Sequence, residues 1–328
     1  MVYLLLVIIY LAFISLGLPD GLLGAAWPTM YPGFGVPVSY AGAVSMIVAF
    51  GTIVSSLLSD RLTYRFGTGK VTAVSVAMTA AALFGFSACT EYWMLLLWAV
   101  PYGLGAGGVD ASLNNYVALH YSSRHMSWLH CMWGVGASVG PYILGWVLSG
   151  GAHWSGGYRI VGIVQVCLTI VLFLTLGLWK DRRAEAENAE PVPLAKVFRI
   201  AGAKEILVTF FCYCALEQTA ALWASSYLTL SKGVDAETAA FFASMFFLGI
   251  TVGRALNGFL TIKFDDKTLI RMGCAVIGLG IGAMLLPGNM ALAGLLLVGL
   301  GCAPVYPCII HSTPANFGPE KSQALIGV

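Results

Sequence analysis

Residues 39–90 read SYAGAVSMIVAFGTIVSSLLSDRLTYRFGTGKVTAVSVAMTAAALFGFSACT, and this stretch decides the fold. Two apolar runs, 39–59 and 71–90, flank a basic turn that begins at Asp60-Arg61 and ends at Gly67-Thr68-Gly69-Lys70. A hydrocarbon layer about 30 Å thick is crossed by roughly 20 helical residues. Each run is therefore one crossing, and the turn between them is a loop on one face of a membrane. Runs of the same kind recur at 3–26, 94–118, 127–149, 158–179, 205–229, 238–260, 268–286 and 290–312. Internal Gly and Pro do not argue against helix there, because spanning helices tolerate both and use small residues for close packing. The prediction is an all-α integral membrane protein with about ten spans.

Composition agrees. Apolar residues make up 59% of the 328 positions and charged residues 10%, against roughly half and a quarter in soluble domains. A soluble globule of this size cannot hide that much apolar surface. No phosphate-binding loop, cofactor motif, paired Cys/His framework or nucleic-acid patch is visible, so no cofactor and no nucleic-acid partner are expected.

The basic residues fix an orientation. With the N-terminus in the cytoplasm, fourteen Lys and Arg fall in inside loops, from Arg61, Arg65 and Lys70 to Lys263, Lys267, Arg271 and Lys321. Only Arg159 and Lys232 fall outside. That asymmetry predicts a multi-pass protein of the cell membrane with a cytoplasmic N-terminus. Met1-Val2-Tyr3-Leu4 lacks a basic leader, so the first run reads as a retained helix and not a signal peptide.

The one sustained polar stretch runs from Lys180 to Lys204. It reads as a cytoplasmic linker (181–204) between a six-helix lobe (1–180) and a four-helix lobe (205–328). The lobes read as a parallel repeat, since Gly103-Leu104-Gly105 recurs as Gly299-Leu300-Gly301, 196 residues on. At that offset Gly327-Val328 belongs to the counterpart of the fifth span, so the sequence is expected to stop as an eleventh helix begins.

Three carboxylates, Asp20, Asp110 and Glu217, lie within spans. A charge at the centre of a span costs roughly 2.5–3.5 kcal/mol on the insertion scale. Carboxyls removed from water take up protons near neutral pH and release them when water or a cation arrives, which is what a proton-coupled carrier needs. The plainer alternative is permanent pairing with Arg254 or hydrogen bonding to neighbouring helices. Asp110 and Asn114, four apart, share a helix face with Gly103 and Gly107. Glu217, Gln218 and Trp223 form a polar and aromatic stripe in span seven, suited to bonding solute hydroxyls and covering a sugar's C–H face. Trp223 and Tyr227 also fit an interfacial aromatic belt.

Other chemistry is thin. The eight cysteines sit in apolar runs as small hydrophobes. His120, His125 and His130 are five apart and do not share a helix face; His130 is a cavity candidate beside Trp133. Gly134-Val135-Gly136-Ala137-Ser138-Val139-Gly140 contains a formal Gly-x-Ser-x-Gly, but a nucleophile elbow needs a strand–turn–helix in a sheet. An intramembrane hydrolase and a non-transporting remnant are the competing classes.

The 60–70 turn, with its Asp-Arg pair, Gly and basic residues, resembles the loop signature of the major facilitator superfamily. The alternative is an ordinary positive-inside loop. Gly140-Pro141 in span five resembles the superfamily's glycine–proline helix. More narrowly, Leu16-Gly17-Leu18-Pro19-Asp20, Asp110 to Tyr116, Gly253-Arg254 and Cys302-Ala303-Pro304-Val305-Tyr306-Pro307 resemble the fucose permease (fucose–galactose–glucose proton symporter) group. The resemblance implies twelve helices in two pseudo-symmetric lobes, and import of a sugar or similar small polar solute with protons. It implies coupling by Asp20 and Asp110. Solute contacts are expected from Asn114, Asn115, Glu217, Gln218, Trp223 and Tyr306, and conformational gating from Asp60, Arg61, Arg65, Gly140, Pro141 and Arg254. The chain departs from the prototype in having Asp, not Glu, at 110 and Asn115 in place of Pro. Another solute or the export direction stays open.

Overall fold

The computed structural model describes residues 2–121, 123–179, 200–261, 263–287 and 290–317. The helices are α1 (Val2–Gly17), α2 (Leu22–Met30), α3 (Ala41–Phe66), α4 (Thr68–Ser87), α5 (Tyr92–His120), α6 (Ser123–Ser149) and α7 (Ser155–Leu174), followed by α8 (Ala203–Lys232), α9 (Ala236–Leu260), α10 (Asp266–Leu285), α11 (Met290–Cys302) and α12 (Val305–Phe317). Hydrocarbon offers no partner to backbone N–H and C=O groups, so apolar runs close their hydrogen bonds internally as helices. Among the described residues ten stretches are long and apolar enough to cross a membrane, from Leu4–Met30 to Met290–Ile309, and each overlaps one predicted run. The linker is outside the described residues as far as position 199.

Two runs read as single spans are each two helices. The first breaks at Leu18-Pro19-Asp20-Gly21 and the tenth at Ala303-Pro304. Proline lacks the N–H that the helix ladder needs and its ring crowds the carbonyl four residues back. The sharp connection between α3 and α4 is made by Gly67, whose φ of +83° suits a residue without a Cβ. Asp235 and Asp265 precede α9 and α10, where their carboxylates accept from the Thr238 and Thr268 amides at 2.8 and 3.1 Å. Hydrogen bonds from the amide and hydroxyl of Thr238 to Asp235, and from the hydroxyl and amide of Thr268 to Asp265, hold both carboxyls below the usual carboxylate range.

The chain forms two compact units, Met1–Glu185 with Leu222–Ser244 and Ala186–Ala221 with Met245–Val328. Leu222–Ser244, the end of α8 with the start of α9, stands with the first unit. It joins the first unit because it packs on α6: Phe241 lies 5.8 Å from the Tyr142 ring, and Gly145 faces Ala240.

Within each unit the helices meet backbone to backbone through glycine, and the two patterns are the same. Gly51 of α3 faces Gly103-Leu104 of α5, while Gly249 of α9 faces Gly299-Leu300 of α11. Gly105 of α5 seats against Ser75 and Thr79 of α4; Gly301 of α11 seats against Gly273 and Ile277 of α10. The repeat read from one tripeptide is thus a repeat of packing, with the same small residues admitting the same neighbours. Between α1 and α6, Gly136 rests on the Ile14 carbonyl and Gly140 on that of Leu18.

A Cβ at Gly103 would collide with the Val48 backbone, whereas one at Gly278 meets open space. Gly103→Leu and Gly299→Leu are each expected to destabilise the purified protein by about 1–3 kcal/mol through overpacking, with Gly278→Leu close to neutral. Thermal unfolding in detergent reads the difference; equal melting temperatures for all three would overturn the packing account.

Candidate functional site

In the first unit the site is built around the break between α1 and α2. Pro19 cannot donate to the Ser15 carbonyl one turn earlier. Gln165 of α7 replaces that bond: its Nε2 donates to Ser15 O at 2.7 Å, and Ser15 Oγ donates back to Gln165 Oε1 at 2.6 Å. Both side chains are buried. The break is thereby satisfied within the protein, as non-helical backbone at membrane depth must be. Short turns carry the chain through it, Asp20 N to Gly17 O at 3.1 Å and Leu22 N to Pro19 O at 3.0 Å.

At the apex of that turn Asp20 is exposed. Its carboxylate accepts from Trp133 Nε1 of α6 at 2.7 Å and from the Tyr102 hydroxyl of α5 at 3.3 Å. The first contact depends on the glycine seam, because Gly17 lies directly against the Trp133 backbone and brings the indole within reach. Two neutral donors from two helices thus orient one carboxylate.

Asp110 lies on α5, about two turns from Tyr102. Asn114 Nδ2 donates to its Oδ1 at 3.0 Å, and Asn114 Oδ1 is buried without a hydrogen-bond partner among the described residues. Gly103 and Gly107, expected on the same face, are taken up by Val48 and Thr52 of α3. Between Asp110 and Asn114 in sequence, Ser112 pairs with Thr72 of α4 at 3.1 Å. Trp223 also belongs to this unit, beside Gly42 of α3. The Asn115 side chain lies outside the described residues, as do those of Asp60 and Arg61.

The second unit holds Glu217 and Arg254, with Nη2 to Oε1 at 3.9 Å and both side chains about seven-eighths buried. The ion pair that was one alternative for the intramembrane carboxylates is therefore realised at Glu217. Arg254 stands 5.9 Å over the Tyr306 ring, which meets Phe210 at 5.2 Å and Tyr213 at 6.3 Å. Gln218 is exposed. Of the residues read as gating, Arg65 is exposed over the Phe66 ring, Gly140 and Pro141 are buried in α6, and Arg254 sits in this nest. Ser138 donates to the Gly134 carbonyl of its own helix at 2.8 Å, and among the described residues there is no strand to make an elbow. His130 packs edge-on against Phe13 at 5.8 Å.

Sequence reasoning did not find Tyr102, Gln165 or Tyr213. Pro19 was the available signal for Gln165, since a proline in a span demands a donor from elsewhere. Nothing local marks Tyr102, which is 82 residues from the carboxylate it serves.

The sequence model of the Major Facilitator Superfamily matches residues 9–328. The chain belongs to the major facilitator superfamily. Members carry small solutes across membranes, so this is a transporter with its polar residues arranged along the spans. Bypass of stop codon protein 6 of Saccharomyces cerevisiae is 24% identical over 282 residues, covering 78% of this chain; the chain spans 56% of that relative's length. The glucose/mannose transporter GlcP of Bacillus subtilis is 21% identical over 310 residues, covering 91% of this chain and 77% of that protein. Among solved structures, the nucleoside transporter NupG has a TM-score of 0.77 at 14% identity, covering 98% of this chain and 85% of its own. A D-xylose-proton symporter has 0.76 at 13%, covering 99% and 87%. At those identities the likeness establishes the major facilitator fold.

The geometry sets an accessibility expectation. In a cysteine-free background, Asp20→Cys should react with a hydrophilic thiol reagent at least about tenfold faster than Ser15→Cys, whose position is 3% exposed. Comparable rates would mean that the break does not open to water.

Proposed function

We infer that the protein is a secondary active transporter that imports a sugar or similar small polar solute together with protons, by alternating access. The observation that carries this reading is a pair of carboxylates inside the spans of one unit, each given polar partners by its own helix or its neighbours: Asp20 with Trp133 and Tyr102, Asp110 with Asn114. A permanently charged group at that depth costs a few kcal/mol. A carboxylate that cycles between protonated and ionised forms explains why the cost is retained. Asp20 and Asp110 carry the coupling, with Asn114, Asn115, Glu217, Gln218, Trp223 and Tyr306 as solute contacts.

The relatives support the solute class. One is a glucose/mannose transporter, and two of the solved neighbours are a nucleoside transporter and a D-xylose-proton symporter; hexoses, pentoses and nucleosides all carry several hydroxyls. The helix-one, helix-four, helix-eight and helix-ten motifs favour the fucose permease group within the superfamily. The basic loops favour a cytoplasmic N-terminus in the cell membrane, and the polar 181–204 stretch a linker between lobes 1–180 and 205–328. Gating falls to the Asp60–Arg65 turn, to Gly140-Pro141 and to Arg254. Carriers of this kind rock one lobe against the other about a midplane site.

The test is external alkalinisation on adding hexoses, pentoses and nucleosides to cells that express the chain. Alkalinisation with one solute class is the expected result, and its absence with verified membrane insertion would overturn proton symport. Asp110→Asn is expected to reduce accumulation driven by a pH gradient at least about tenfold while solute exchange survives. Accumulation that keeps its pH dependence would remove Asp110 from the coupling machinery.

A further inference from the structure

We propose that the groove between the end of α6 and the start of α7 binds one anionic phospholipid, with Arg159 and Trp146 on its phosphate and its acyl chain along Val147 and Ile160. Such a site stands apart from the solute and from its coupling to protons.

The groove has a volume of about 560 Å³, within the roughly 300–1,000 Å³ of sites for small organic molecules and far more than a lone ion fills. Trp146, Val147 and Ile160 give it apolar walls, and no acidic residue lines it. Arg159 lines it too; its side chain is exposed and makes no hydrogen bond, ion pair or ring contact among the described residues. The Trp146 ring, 68% exposed, has no ring partner and no side-chain hydrogen bond there either. On the orientation proposed above, Arg159 and Lys232 are the two basic residues on the side that the orienting bias leaves poor in charge. Lys232 lies 5.6 Å over the Tyr227 ring, whereas Arg159 has no such neighbour.

Depth places both groups at a membrane boundary. Trp146 is three residues from the end of α6 and Arg159 four from the start of α7, so at 1.5 Å per residue each lies about 4–6 Å inside its span. Trp rings collect at that level, and a guanidinium reaches the headgroups from it while its methylene stem stays on apolar surface. A guanidinium and an indole N–H only donate, so the ligand presents acceptors, and a phosphate meets the guanidinium fork with two oxygens. The apolar walls require a hydrocarbon tail on that same ligand. A phospholipid has both, and the surrounding bilayer supplies it. A headgroup that adds an ammonium needs a carboxylate to meet it, which the groove lacks; an anionic headgroup needs nothing more.

The experiment exposes the purified full chain in detergent to phosphatidylglycerol with a photoactivatable acyl chain and maps the crosslinked peptides by mass spectrometry. Labelling is expected within 146–160. Unlabelled phosphatidylglycerol should displace it at least about fivefold better than phosphatidylcholine, the worth of one basic residue facing an anionic headgroup. Arg159→Gln should remove that preference and Arg159→Lys should keep it, with the melting temperature and the labelling of other spans as in wild type. Labelling spread evenly over the spans and unchanged by Arg159→Gln would mean a non-specific lipid shell and overturn the site. Equal displacement by the two lipids in wild type would also overturn it, as would loss of the preference in Arg159→Lys. Displacement by inorganic phosphate at the same concentration would make the groove a free-anion site and overturn the lipid.

Discussion

Helices in lipid are not driven together by the hydrophobic effect, because the solvent is as apolar as their side chains. They hold together only where their backbones come close enough for dispersion and polar contacts to accumulate, and here glycine sets that distance. The α1–α6 seam shows how much hangs on it. Gly17 admits the Trp133 backbone, and Gly136 and Gly140 admit α1. The indole of Trp133 thereby arrives 2.7 Å from Asp20. A wider seam would leave the same residues in the same order and no carboxylate held in place.

The polar groups at the helix break and at Asp110 are answered by named neighbours. The Ser15–Gln165 exchange answers the carbonyl that Pro19 leaves behind, and Asn114 answers Asp110. Trp133 and Tyr102 donate to Asp20 in one unit, and Arg254 pairs with Glu217 in the other.

Much of the fold was legible because a membrane imposes one length on every crossing, so a run of about 20 apolar residues has a single reading. The packing repeat was visible as one tripeptide recurring at 196 residues, since close contact requires the small residues themselves. The carboxylates were legible because a charge in an apolar run is conspicuous. Their partners were not: Trp133 and Tyr102 look like any aromatic residues in a span, and only the crossing of three helices brings them to Asp20. The break at Pro19 was overlooked for a related reason, as hydrophobicity continues smoothly through Leu18 and Leu22 while hydrogen bonding does not. The open spacing of Glu217 and Arg254 lies below sequence resolution altogether, because residue types specify a pair and not its gap.

The interrupted first helix has a mechanical consequence. A continuous helix transmits force along its length with little deflection, but α1 and α2 are joined by a four-residue turn braced at one point by Gln165. Any rotation of α2 about that brace moves the apex of the turn first, and Asp20 is the apex. Its two donors stand on other helices and do not travel with it. The carboxylate is thus mounted at the fulcrum of a lever, where a small change in helix angle makes or breaks its hydrogen bonds and the state of those bonds, in turn, sets the angle.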